Sequence, residues 1–469
     1  MDNYIQGRLI NQVRRIQKCR QDIVEKSDIC FTVLLPQNQV EAAIEKHQVR
    51  FRQRLYTPLV TIWTFLYQVL AADQSCRAAV ARLLAFLCLG GDSSRSSKTD
   101  PYCKARLRLP EKLPADLART SASDLQRQVP PMKLLGSRPI KIVDGTTVSM
   151  PDTPENQKVY PQQPGQKKGI GFPIIRLVGL IGLSCGAVLD VAMGAYSGKQ
   201  TGETSLLRQL FGQLDANDIL LGDAMFSNYW TIALLLERGV DFLGYHDGRR
   251  LIDFRKGIKL GRYDHIVSWS KPPRPSWMSR SLYVSLPETL SIREVKVSVS
   301  QKGFRRRELR LITTLLDAQV YSKQELATAF RCRWHAELDL RSIKQVMQMD
   351  VLRCKSPAMV RKEIWMHLLA YNLIRKLMAQ AASMVPEVCP RDISFKGTLQ
   401  TLVVFATAGW WCPDQRVEMY SALLKAVATH RVNNRPDRIE PRAVKRRPKK
   451  LVYLNEPRSV AVARLLSGG

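Results

Sequence analysis

The sequence predicts an α/β protein: a mixed sheet preceded by an all-helical N-terminal region and followed by a helical C-terminal region. Three observations carry this. Helix-period apolar patterns fill the chain before about 130 and after about 320. Between 137 and 245, short apolar runs end in polar, turn-forming clusters. The most hydrophobic run, Leu177 to Leu189, is broken by three glycines and is too short to cross a bilayer as a helix, so it reads as two buried strands turning near Ser184 and Gly186.

Taken in order, Thr57 before Pro58 is an N-cap with a first-turn proline, and Ser75 opens a second helix carrying Ala78, Val80, Leu83, Leu84 and Leu87. A polar loop from Gly90 to Pro101 follows, then a segment with Lys104, Arg106 and Arg108. Residues 1–130 are expected to bind DNA through such cations, although an ordinary helical packing domain fits them equally. Pro139 to Val143 reads as a short strand ending in the turn cluster Asp144-Gly145-Thr146-Thr147. Two strands within 171–195, a helix from Glu203 to Leu214, a strand from Asp218 to Gly222 delivering Asp223, a helix over 229–238 and a strand from Asp241 to Tyr245 complete a mixed sheet. The stretch from about 248 to 308 is basic and alternating, with Val295, Val297 and Val299 interleaved with polar residues and Arg305-Arg306-Arg307 at its end, and is expected to be a β-rich insertion. Val360 to Met384 is a long helix, and the run from Arg431 to Lys450, with nine cations against two acids, is a basic tail. The expected domains are 1–130, 137–385 with its insertion, and 386–469.

A chain of 469 residues exceeds a single core, and 45% apolar with 24% charged residues excludes disorder throughout. Seventy-two Lys and Arg against 41 Asp and Glu leave a net charge of +31, spread along the chain, which attracts a polyanion; nucleic acid is the expected partner, ahead of a membrane surface. The start, Met1-Asp2-Asn3-Tyr4, lacks a signal-peptide pattern, so a cytoplasmic location is expected. The ten cysteines contain no Cys-x-x-Cys pair, so neither a zinc site nor a disulfide framework is indicated.

The richest segment is Phe330 to Lys344. As one continuous helix, it places Phe330, Arg333, Glu337, Arg341 and Lys344 on one face, and Ala329, Cys332, Ala336, Leu340, Ile343 and Met347 on an apolar stripe beside it. A carboxylate among three cations suits a metal-bridged phosphate; a solvated face of ion pairs is the plainer alternative. Asp144 and Asp223, each expected at a strand end, converge with Glu337 if their strands pair in parallel, and such a trio suits magnesium. Each acid also has a plain role, as a turn cap or a solvated helix residue.

Arg333, Glu337 and Lys344 match the Arg-x3-Glu-x6-Lys part of the Tyr-x2-Arg-x3-Glu-x6-Lys signature of DDE transposases of the insertion sequence 4 family, with Phe330 at the Tyr position. Asp144-Gly145-Thr146-Thr147-Val148 and Gly222-Asp223-Ala224 resemble the blocks around that family's first two catalytic acids, and the likeness covers roughly residues 55–385. The resemblance implies a ribonuclease H-like fold and Asp144, Asp223 and Glu337 as catalytic metal ligands for Mg2+, with Mn2+ able to replace it. It also implies that Arg333 and Lys344 contact phosphates, with Arg341 beside them, and that the lost hydroxyl at Phe330 is either compensated or weakens end binding. The implied reaction is cleavage and strand transfer at the terminal inverted repeats and target DNA, through a hairpin, by a homodimer in the DNA complex. Hairpin-forming relatives supply an aromatic from their insertion, and Trp277 or Trp269, in a basic Pro-containing segment, is the candidate to stack on a flipped base. A ribonuclease H-like nuclease or resolvase without strand transfer, and a non-enzymatic DNA-binding descendant, are the alternatives.

Overall fold

Thr57 and Ser75 cap helices as their neighbours dictate: Thr57 accepts from the Val60 amide and Ser75 from that of Ala78. The computed structural model describes residues 33–52, 54–89, 92, 95–299, 307–408, 415–432 and 455–467. Arg305, Arg306 and most of the basic tail lie outside the described residues. The chain forms two compact units.

The first takes in the described parts of Met1–Pro130, Ser184–Leu189 and Asp339–Val432. It holds α1 (Gln37–Lys46), α2 (Pro58–Leu70), α3 (Cys76–Leu89), α4 (Asp100–Arg108) and α5 (Lys112–Gln128). The second takes in Pro131–Leu183, Asp190–Leu338 and the described part of Asn433–Gly469. Its elements begin with β1 (Ile140–Ser149), α6 (Pro154–Val159), β2 (Ile174–Gly182), β3 (Val188–Ala195), α7 (Glu203–Gln209), β4 (Ile219–Gly222), α8 (Tyr229–Leu236) and β5 (Asp241–Tyr245). They continue with β6 (Ile258–Gly261), β7 (Asp264–Ser270), α9 (Arg280–Ser285), β8 (Thr289–Val299), β9 (Arg307–Thr313), α10 (Lys323–Arg331) and the start of α11 (Trp334–Arg341). In the first unit, α12 (Pro357–Ser383), α13 (Phe395–Ala408) and α14 (Arg416–Thr429) follow, and α15 (Arg458–Leu466) closes the described chain in the second. The described residues of Asp339–Val432 thus fall with the N-terminal helices, a division that differs from the segment 137–385 expected above.

In the first unit, α12 is the central helix, packed on α2, α5 and α14. Asp339 is fully buried there and neutralised by Arg375 and by Arg391, whose Nη1 donates to Oδ2 at 2.7 Å. No helix among the described residues is long and apolar enough to cross a membrane.

The second unit is organised by one nine-stranded sheet in the order β3-β2-β1-β4-β5-β9-β8-β7-β6. β1, β4 and β5 are parallel, and β1–β2, β5–β9 and the β6 to β9 meander are antiparallel. The β-rich segment therefore extends the main sheet through β9, which pairs β5 on one edge and β8 on the other. Arg293, fully buried, locks this extension by donating to both oxygens of Asp264 at 2.8 and 2.7 Å. Two local expectations are corrected. β1 runs through the expected turn to Ser149, because the β-branched Thr146, Thr147 and Val148 continue it in register against β2. The helix expected through 329–347 breaks: Arg333 N bonds to Phe330 O, His335 N to Cys332 O and Ala336 N to Arg333 O, a tighter i to i−3 winding between α10 and α11.

Candidate active site

The parallel ladder sets the site. Ile140, Lys141 and Ile142 pair with Ile219, Leu220 and Leu221, so the same register carried two residues further brings Asp144 level with Asp223. Residues level on adjacent parallel strands project from the same face, with strands about 4.8 Å apart. Asp144 thus stands mid-strand, and Asp223 just past the last residue of β4.

Arg333 joins the third acid to this pair. Its guanidinium donates to Glu337 Oε1 at 2.9 Å and stands 3.7 Å from Asp144 Oδ2. Burial pushes the Asp144 carboxyl up to about 6; Arg333 and the Gly145 amide, donating to Oδ1 at 2.9 Å, pull it down, while the charges of Asp223 and Glu337 push it further up. Asp144 therefore feels the charge of both other acids. A fourth, Glu203 at the start of α7, was not singled out from the sequence. Its carboxyl packs on Gly145, where a Cβ would meet its Cδ at 2.4 Å, so a larger residue beside Asp144 would displace the Glu203 carboxyl. Burial raises its affinity for protons, Arg176, 3.9 Å away, lowers it, and Asp223 raises it again.

Among the described residues no three His, Cys, Asp or Glu side chains are close enough to hold a metal ion. The expected ligand set is therefore not closed: Arg333 stands between Asp144 and Glu337 where the sequence placed a cation. The donors nevertheless suit a hard divalent ion, being carboxylate oxygens whose partly buried charge, unfavourable enough to hold Asp144 near 6, such an ion would relieve.

The other predicted residues have surroundings of their own. Phe330 is buried, 9% exposed, with its ring centroid 6.0 Å from that of Tyr245. Phe330 packs inward against Tyr245 instead of presenting its ring on an exposed face. Arg341 and Lys344 belong to the first unit; Arg341 donates to Gln345, and Lys344 lies in a π-helical turn, Ser342–Val346, where Met347 N bonds to Ser342 O. Trp269, expected to be exposed, is buried at 4%: its indole N–H donates to Glu294 at 3.4 Å and Arg250 stacks on its ring at 3.9 Å. Trp277 is half-buried, with the Arg208 guanidinium 3.8 Å from its ring centroid. The basic, Pro-containing context hid the burial of Trp269 because its partners lie on strands and loops distant in sequence.

A family model described as a transposase DDE domain matches residues 135–373, a span that contains all of Asp144, Asp223, Arg333, Glu337 and Lys344. The chain belongs to the DDE transposases of the insertion sequence 4 family. As a DDE transposase it is an enzyme that cleaves DNA and transfers strands. It is similar to transposase InsG for insertion sequence element IS4 of Escherichia coli K12, 29% identical over 315 residues, which cover 65% of this chain and 67% of that one. A shorter stretch of 76 residues is 32% identical to the putative transposase InsL for insertion sequence element IS186A of the same strain, covering 16% and 20% of the two chains. A solved piggyBac transposase synaptic complex with hairpin DNA aligns over 86% of each chain at 10% identity, with a TM-score of 0.42, at which the likeness carries no argument.

Proposed function

We propose that this DDE transposase mobilises an insertion sequence by binding its terminal inverted repeats and that Asp144, Asp223 and Glu337 are the catalytic acids. The observation that carries this is the row of Asp144 and Asp223 on adjacent parallel strands, with Glu337 tied to it through Arg333. Magnesium, or manganese in its place, would be held by these carboxylates, and when bound supplies charge neutralisation and Lewis acidity at the phosphodiester. Arg333 then exchanges its carboxylate partners for a phosphate oxygen, a geometry its fork suits. In each step an attacking hydroxyl loses its proton as its oxygen bonds to phosphorus, and the bond to the departing oxygen breaks. Water serves for cleavage, the freed 3′-hydroxyl for hairpin formation and for joining to target DNA.

The order β3-β2-β1-β4-β5, with β1, β4 and β5 parallel, supports a ribonuclease H-like core. DNA contact by the N-terminal helical region is supported by Arg50, Arg52, Arg54 and Arg108, which line one cleft with Phe51 and Tyr56. The net charge of +31 supports binding of duplex DNA in the cytoplasm, at the nucleoid. Lys344 and Arg341 add phosphate contacts, and two copies act as a homodimer on paired ends.

The test uses purified protein with DNA carrying the inverted repeats that flank its gene. In magnesium the expected products are nicks at the element ends, then hairpins and joints to a target plasmid; in EDTA none form. Nicks without joints at any time would favour a nuclease or resolvase instead.

A further inference from the structure

Tyr245 closes β5 at a position the sequence did not single out. β4 and β5 pair in parallel with Gly222 opposite Gly244, so the register carried one residue further sets Tyr245 level with Asp223, and hence on the row of Asp144 and Asp223. Its backbone is fixed on both sides: it pairs with Leu311 of β9, and its carbonyl accepts from Ser227 Oγ at 2.6 Å. Its ring leans on buried Phe330 at 6.0 Å and 33°. The side chain is half-buried, its hydroxyl is open to solvent, and among the described residues no group bonds to that hydroxyl. The site thus holds a rigid phenol with a free donor, one strand beyond two carboxylates. An uncharged donor there neither forms a strong ion pair with the acids, as Arg333 does, nor competes with a cation for them, and the non-bridging oxygens of a phosphodiester only accept hydrogen bonds.

We propose that Tyr245 binds the DNA end, its hydroxyl donating to a non-bridging oxygen of a phosphate adjoining the scissile one. It stands in for the hydroxyl that Phe330, buried against it, does not offer. This rests on the proposed placement of the reaction at Asp144 and Asp223.

The experiment compares wild-type protein, Tyr245→Phe and Asp144→Asn in single-turnover cleavage of an element end in magnesium, using a series of substrates in which each phosphate near the cut is replaced by a methylphosphonate. Tyr245→Phe is expected to melt at the wild-type temperature and to cleave roughly ten- to a hundredfold more slowly, the loss of one hydrogen bond to a charged group. At one phosphate the methylphosphonate should slow the wild type but add nothing in Tyr245→Phe, the signature of a shared interaction. Wild-type cleavage by Tyr245→Phe, or methylphosphonate penalties equal in both proteins at every position, would overturn the role of Tyr245 while an inactive Asp144→Asn leaves the site assignment standing. If Asp144→Asn cleaves normally, the site assignment itself falls.

Discussion

The Arg333 guanidinium stands 3.7 Å from the Asp144 carboxylate while donating to Glu337 at 2.9 Å, so one cation holds two of the three acids. Since Arg333 lowers the proton affinity of Asp144 against the opposing effect of burial, Arg333→Ala should raise it above its present level of about 6. At low magnesium, where protons and metal compete for the site, the acidic limb of the cleavage rate should then move up by about 0.5 to 1 pH unit. Arg333→Lys should restore part of the shift without restoring full activity, because an ammonium lacks the fork that holds two partners. A pH–rate profile checks this; an unmoved limb would detach Arg333 from Asp144.

Asp144 also makes stability depend on pH. Its folded-state affinity lies above the unfolded value of 3.8, at about 6, so the folded protein binds the extra proton between those values. Stability is greatest below about pH 4 as far as this group is concerned, and falls as pH rises through 6. Asp144→Asn should therefore leave the melting temperature unchanged near pH 4 and raise the unfolding free energy at pH 8 by on the order of 2 kcal/mol. Magnesium should narrow the difference at pH 8 by stabilising the wild type alone. Denaturant unfolding at the two pH values, with and without the ion, measures both effects.

Phe330 is packed rather than exposed, so Phe330→Ala should cost about 3 kcal/mol by emptying the space against Tyr245. Phe330→Tyr should cost on the order of 1 kcal/mol, because its added hydroxyl is buried without an assured partner. Thermal melts of the two variants decide this: an unchanged midpoint for both would place the ring in solvent.

These residues show where the sequence was legible. The strand leading to Asp223 could be read from an apolar run closed by Gly222 and Asp223, and the strand turn at Gly186 from the glycines that interrupt Leu177 to Leu189. The overrun of β1 past Asp144 could not, since Asp-Gly-Thr is equally a turn signal and only pairing with β2 extends it. Nor could the break after Arg331: Cys332 and Arg333 carry no helix-stopping signal, and the tighter turn there appears only in the backbone hydrogen bonds. Tyr245 and Glu203 were invisible for a further reason. Their meaning lies in register and in space beside Asp223 and Gly145, relations that no local pattern encodes.

The two tryptophans of the β-rich segment should separate cleanly. Trp269→Ala removes a buried ring, one donor to Glu294 and the surface on which Arg250 stacks, so a loss of about 3 to 5 kcal/mol is expected. Trp277→Ala, at a half-buried site, should leave the melting temperature nearly unchanged yet slow hairpin formation about tenfold, since base–aromatic stacking contributes roughly 1 to 3 kcal/mol. Hairpin yields on denaturing gels, set beside thermal melts, check both; normal hairpin rates in a folded Trp277→Ala would remove it from the reaction.

The central claim is that Asp144, Asp223 and Glu337 act as one catalytic set. The most direct measurement is magnesium-dependent cleavage of the element ends by Asp144→Asn, Asp223→Asn and Glu337→Gln, with binding of the same DNA measured in parallel. Each variant should lose cleavage by at least about a thousandfold while binding DNA within about threefold of wild type, because the basic side chains supply most of the affinity. Cleavage near the wild-type rate by any one of the three would contradict the claim.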